Sequence, residues 1–154
     1  MKWVVFFAGA ACFCTLAARP ADAANTVTVH IFDFDFSTNP SGGALIDPTI
    51  DVGDTIHWVW DSSFFSHSTT SVAGILESWD SGLRASSPPT SFDHTFTHLG
   101  SFEYYCRLHG SDLGGGKASG MSGVIHVVPE PASIALLVTG LAVLLIAGVR
   151  RRFA

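Results

Sequence analysis

Basic residues are almost missing from the middle of the chain. Between residues 24 and 128 only Arg84, Arg107 and Lys117 stand against eleven Asp and Glu, a formal net of −8. The value for all 154 residues, −5, understates this because Lys2, Arg19 and Arg150 to Arg152 lie at the ends. So acidic a stretch repels phosphate backbones and anionic surfaces, which argues against nucleic acid and for a cationic protein or a metal cation. Cysteine is scarce too: Cys12 and Cys14 sit in the N-terminal apolar run, leaving Cys106 alone in the remainder, where no internal disulfide can form. Helical periodicity is absent before Pro131, and no internal repeat is visible. No Ser-His-Asp order, paired-carboxylate motif or phosphate-binding glycine loop stands out, so the expectation is a protein that is not an enzyme.

Long apolar runs occur only at the two ends. Lys2, the stretch "WVVFFAGAACFCTLAA" and the small-x-small site Ala21-Asp22-Ala23 together predict a signal peptide over residues 1–23. At the other end, Pro129-Glu130-Pro131 leads into an uncharged run, 132–149, closed by Arg150, Arg151 and Arg152. As a helix that run is about 27 Å long, enough to cross a bilayer, and the arginines mark the cytoplasmic end. This predicts a transmembrane helix in the precursor, with the central region on the outer side. The ordered set over 129–154 (Pro-Glu-Pro, hydrophobic helix, basic cluster) resembles the PEP-CTERM sorting signal of Gram-negative bacteria. The resemblance implies an inner-membrane precursor facing the periplasm, cleavage by an exosortase, and passage to the cell surface or beyond.

The remaining residues, 24–128, suit one small domain. "TVTVHIFDFDF" alternates by two and slips phase near Ile31-Phe32, predicting a bulge or a strand that changes sheets. "TIHWVW", the alternate positions Phe92-His94-Phe96 and Phe102-Tyr104-Cys106, and "GVIHVV" carry the same period. Turn residues separate them. The expected fold is all-β, an antiparallel sandwich or barrel, with Trp58, Trp60 and Trp79 as core or sheet-surface aromatics.

A lone cysteine in an exported chain is a small buried hydrophobe, a stray thiol, an intermolecular bridge or a metal ligand. The neighbourhood favours the last. Cys106 ends an aromatic strand and His109 follows in "YYCRLHG", while His67 lies in the polar stretch "DSSFFSHSTT" and Met121 opens the final strand. Two imidazoles, a thiolate and a weak thioether form the donor set of a type 1 copper site. His57, His94 and His126 are expected to face solvent or a rim, and His30 and His98 have no partner at a diagnostic spacing.

Here the chain resembles the plastocyanin branch of the cupredoxins, in "VGDTIHWVWDSSFFSHS", "WDSG", "FTHLGSFEYYCRLH" and "GMSGVIHVV". The resemblance covers essentially all of 24–128. It implies a cupredoxin-like Greek-key sandwich, one copper held by His67, Cys106, His109 and Met121, and electron transfer between Cu(I) and Cu(II) with a redox partner. One departure stands out: "GSDLGGGKASG" puts eleven residues between His109 and Met121, where plastocyanins have a short turn. A flexible excursion is the expectation, at about 0.6 kcal/mol per doubling of loop length. The rival reading is a surface or exopolysaccharide-matrix sandwich with structural, sequestered or no copper.

Overall fold

The computed structural model describes residues 23–152 apart from 41, 42, 63 and 89. The signal peptide expected over 1–23 lies, but for residue 23, outside the described residues. Where the sequence alternates, strands form: β1 (Thr26–Phe32), β2 (Asp35–Ser37), β3 (Thr49–Asp51), β4 (Thr55–Ser62), β5 (Thr70–Ser71), β6 (Thr90–Thr95), β7 (Gly100–Gly114) and β8 (Lys117–Val128). They make two four-stranded sheets, β2-β1-β4-β6 and β3-β8-β7-β5.

The period-two residues close the core between these sheets. Val29 and Ile31 of β1 and Ile56, Trp58 and Trp60 of β4 meet Phe102, Tyr104 and Cys106 of β7 and Met121, Ile125 and Val127 of β8. Burying each large apolar side chain contributes roughly 1.5–3 kcal/mol. The tryptophans are core residues, as expected: Trp58 stacks on Trp79 at 5.7 Å and meets Tyr104 edge-on at the same distance.

The expectation of a purely antiparallel sandwich needs correction. β1 pairs β4 in parallel, as β3 does β8. Alternation reports which face is buried and carries no information on a neighbour's direction. After β1 and β2 the chain crosses to the other sheet as β3, then returns as β4 beside β1, so the pair runs the same way. The phase slip is where the sequence put it. The β1–β4 register shifts between Ile31 and Phe32, and Phe34 beyond it takes a left-handed φ of 73°.

The eleven-residue segment is not a flexible excursion. It continues the β7–β8 ladder as an antiparallel ribbon, pairing Ser111 with Ser119, Asp112 with Ala118 and Gly114 with Lys117. Gly114, Gly115 and Gly116, all at positive φ, make its turn. Carboxylates tie it down: Ala73 N–H donates to Asp112 Oδ2 (2.7 Å), while Glu103 takes Lys117 Nζ (2.6 Å) and the Ala118 amide (2.7 Å).

After the sandwich, α1 (Pro131–Arg152) forms over the apolar run. Its described side chains, among them Leu136, Leu137, Leu141, Leu144 and Ile146, are exposed. Among the described residues no helix is long and apolar enough to cross a membrane. Side chains are described for only part of the predicted span, 135–147.

Candidate metal centre

A break in the β7–β8 ladder builds the site. Tyr105 faces Ser122 and the next pair is Gly110 with Gly120, so Cys106, Arg107, Leu108 and His109 oppose Met121 alone. The surplus bulges outward and bends the strand so that Cys106 and His109 point to one place. The two glycines let the strands close again at once. A Cβ on Gly110 would stand 2.7 Å from the carbonyls of Ser119 and Met121, and one on Gly120 2.5 Å from that of His109.

His67 arrives from the opposite sheet, in the chain leaving β4. It is pinned before any metal is considered. His67 and Arg84 exchange both backbone hydrogen bonds at 2.9 Å, and Trp60 Nε1 donates to the His67 carbonyl (3.1 Å). The Arg84 guanidinium lies over the Trp60 and Phe92 rings and donates to the carbonyl of Ser81 (2.9 Å). The next residue locks the cysteine. Ser68 N–H points at Cys106 Sγ (3.4 Å), and Ser68 Oγ accepts from the Arg107 amide (3.0 Å).

Three ligand atoms converge. Cys106 Sγ stands 3.6 Å from His67 Nδ1 and 3.5 Å from His109 Nδ1, and the two nitrogens are 3.1 Å apart. A triangle with those sides has a centre about 2.0 Å from each corner, close to the bond length of a first-row metal to imidazole nitrogen. No carboxylate enters the triangle, and the group is the only such cluster of His, Cys, Asp and Glu among the described residues. Burial lowers the pKa of His67, helped by His109 and opposed by Asp33, so His67 is neutral with a lone pair to give. Its other ring nitrogen, Nε2, is buried without a hydrogen bond, and Asp33 Oδ1 lies 3.5 Å from it. Cys106 and His67 are wholly enclosed, whereas His109 is half-buried.

Of the four residues expected at the site, the structure brings His67, Cys106 and His109 together. Met121 lies buried on β8 directly opposite the bulge, in the same core cluster as Cys106. Asp33 and Phe34 were not foreseen. Phe34 sets its ring edge-on to His109 at 5.1 Å, and Phe65 lies 6.3 Å from the same imidazole. Asp33 accepts from the Phe64 amide (2.8 Å). Burial raises its pKa, but the amides of Phe64 and Phe65, with the imidazole of His67 close by, outweigh this and hold the carboxyl below its ordinary value. Only the phase slip at Ile31-Phe32 hinted that this turn was special.

The remaining histidines that can be placed serve the scaffold. His57 pairs with Asp93, His126 Nδ1 with Ser101 Oγ (2.9 Å), and His94 and His98 with Glu77.

A buried thiol and two imidazoles on one mixed sandwich form a donor set consistent with a type 1 copper site. No protein-family model matches the chain, and no curated protein is similar to it. Among solved structures it is similar to the Cu-containing nitrite reductase of Thermus scotoductus SA-01, at 20% identity and a TM-score of 0.48. That match covers 68% of this chain and 23% of the reductase. A mutant amicyanin in its reduced state shares 25% identity, with 72% of this chain and 88% of that one covered and a TM-score of 0.44. A purple cupredoxin from Nitrosopumilus maritimus follows at 20% identity, 66% and 99% coverage and a TM-score of 0.44. At such distances the roles of residues rest on the geometry of this chain.

Proposed function

We propose that this chain is an exported blue-copper electron carrier, in which His67, Cys106 and His109 would hold the copper and Met121 would add a weak thioether donor. The observation that carries the reading is the convergence of Sγ and two Nδ1 atoms at 3.1–3.6 Å in a largely buried group that no carboxylate joins. A set of soft sulfur and imidazole nitrogen is tolerable to Cu(I) and Cu(II) alike. Bound there, copper would supply a single electron, given or taken without a change of ligands.

The chain's own residues do the rest. Cys106, buried and receiving the Ser68 N–H, provides the thiolate and keeps water from it. The Arg84 bridge and Trp60 hold His67 in one orientation, so little reorganises as the charge changes. His109 is the half-buried edge; exposed Phe34 and Phe65 lie against its ring, and exposed Leu108 and Phe64 are chain neighbours of His109 and Phe65. An apolar rim around an exposed ligand lets a partner approach without stripping tightly held water. The net of −8 over residues 24–128 favours a cationic redox partner, steered from a distance.

The ends of the chain complete the proposal. An N-terminal signal peptide would export the domain, and α1 would hold the precursor in the inner membrane until an exosortase cuts near Pro129-Glu130-Pro131. The exposed leucines of α1 and the three arginines at its C-terminal end support this. The test is electron exchange between the copper-loaded protein and a small cationic redox protein. Rapid, reversible exchange that slows with salt and on Leu108→Glu is expected. Copper that neither reduces nor reoxidises within seconds, in a chain that binds polysaccharide with or without metal, would establish the matrix reading instead.

A further inference from the structure

The turn between β1 and β2 touches the outer side of both site histidines. Phe34, at φ 73°, sets its ring against His109, and Asp33 turns its carboxylate toward His67. A bulky residue in the left-handed region is strained, and such strain persists where the surroundings enforce it. Here they do. Asp33 Oδ1 accepts from the amides of Phe64 (2.8 Å) and Phe65 (3.4 Å), and so ties the turn to the segment that carries His67.

The chemistry at His67 gives this tie a second consequence. Nδ1 belongs to the three-atom convergence, so a neutral ring that gives that nitrogen's lone pair to a metal would carry its proton on Nε2. That nitrogen is fully enclosed and has no hydrogen bond, and the charged oxygen facing it is Asp33 Oδ1 at 3.5 Å, one-quarter exposed. A carboxylate behind an imidazole fixes its tautomer and makes the nitrogen in front a stronger donor. Nearby negative charge also stabilises the more highly charged metal ion.

We propose that Asp33 is a positioning residue that acts through His67 to favour Cu(II) over Cu(I), and that the strained β1–β2 turn exists to aim it. The proposal rests on the blue-copper reading above and adds to it a residue well upstream of the ligand it serves.

Asp33→Asn separates charge from tether, because the amide oxygen can still accept from Phe64 and Phe65. Two readings are taken on the full chain. In metal-free protein, nitrogen NMR of the His67 ring should find the proton on Nε2 and shift on Asp33→Asn. In copper-loaded protein, the same substitution should lower the ratio of Cu(II) to Cu(I) affinity about tenfold, read as a rise in reduction potential with the visible band retained. Asp33→Glu should restore part of the shift, and Asp93→Asn, an equal charge change outside the site, should have no such effect. An unchanged potential in Asp33→Asn, or a His67 proton on Nδ1 in the metal-free protein, would overturn the role of Asp33 and leave the blue-copper reading intact. A wild-type chain that takes up no copper would instead remove the parent reading, and this one with it.

Discussion

Two histidine clusters lie in this sandwich, and they are built to opposite rules. At the first, His67 and His109 turn ring nitrogens toward the sulfur of Cys106, with no carboxylate among the three. At the second, His94 Nε2 (3.1 Å) and His98 Nδ1 (3.0 Å) flank the buried carboxylate of Glu77. Glu77 also takes the Thr97 amide (2.7 Å), the Thr97 hydroxyl (3.1 Å) and the His98 amide (2.8 Å). The first cluster is a set of electron-pair donors without an acceptor. The second is a satisfied anion with its charge already answered. Histidines near each other thus say little; what their nitrogens face decides whether a cation is wanted.

The comparison breaks most visibly at Cys106. Cys106→Ser should abolish the blue colour entirely, because the charge-transfer band needs the thiolate, and should leave the fold in place, since serine is nearly the same size. Retained colour in that variant would refute the assignment of its sulfur. Glu77 should show the reverse pattern. Burial alone would raise its pKa, but the Thr97 amide and the two histidines pull it down from 4.5 to about 2. The folded value is the lower one, so the stabilisation is complete above pH 4.5 and is lost as pH falls toward 2. It amounts to about 3 kcal/mol. Glu77→Ala should lower the stability of the metal-free protein to denaturant at neutral pH, flatten the acid limb, and leave the visible spectrum unchanged. A loss of copper on that substitution would mean the clusters are coupled.

Much of this was legible in the residues. Alternation marked the buried faces, the phase slip marked the β1 irregularity, and Cys106, His109 and His67 stood out by chemical type. What stayed hidden depends on long-range geometry. Strand direction leaves no trace in a period of two. The β7 bulge needs β8 in register to be defined, and the Gly-Ser-rich segment after His109 reads as loop because its strand character comes from pairing with itself and from Glu103 and Asp112. Glu77 meets His94 and His98 only because a segment 17 and 21 residues away folds onto it. Asp33 reaches His67 for the same reason, through the fold and not through any spacing in the chain.

Smaller effects sharpen the picture of the first cluster. Gly120→Ala should weaken copper retention without unfolding the domain, because a Cβ there drives into the His109 carbonyl and opens the bulge; the off-rate of copper to a chelator reports it. Met121→Leu should keep the colour and raise the reduction potential, since a weak thioether donor would be lost while Cys106 and the two histidines remain. An unaltered potential would make Met121 a core residue only.

The central claim is that Cys106, His67 and His109 are a copper site. The most direct measurement is the visible absorption of the protein titrated with Cu(II). An intense blue band should rise linearly, stop at one copper per chain, and vanish on reduction. Copper bound at that stoichiometry without colour, or no copper bound at all, would contradict it.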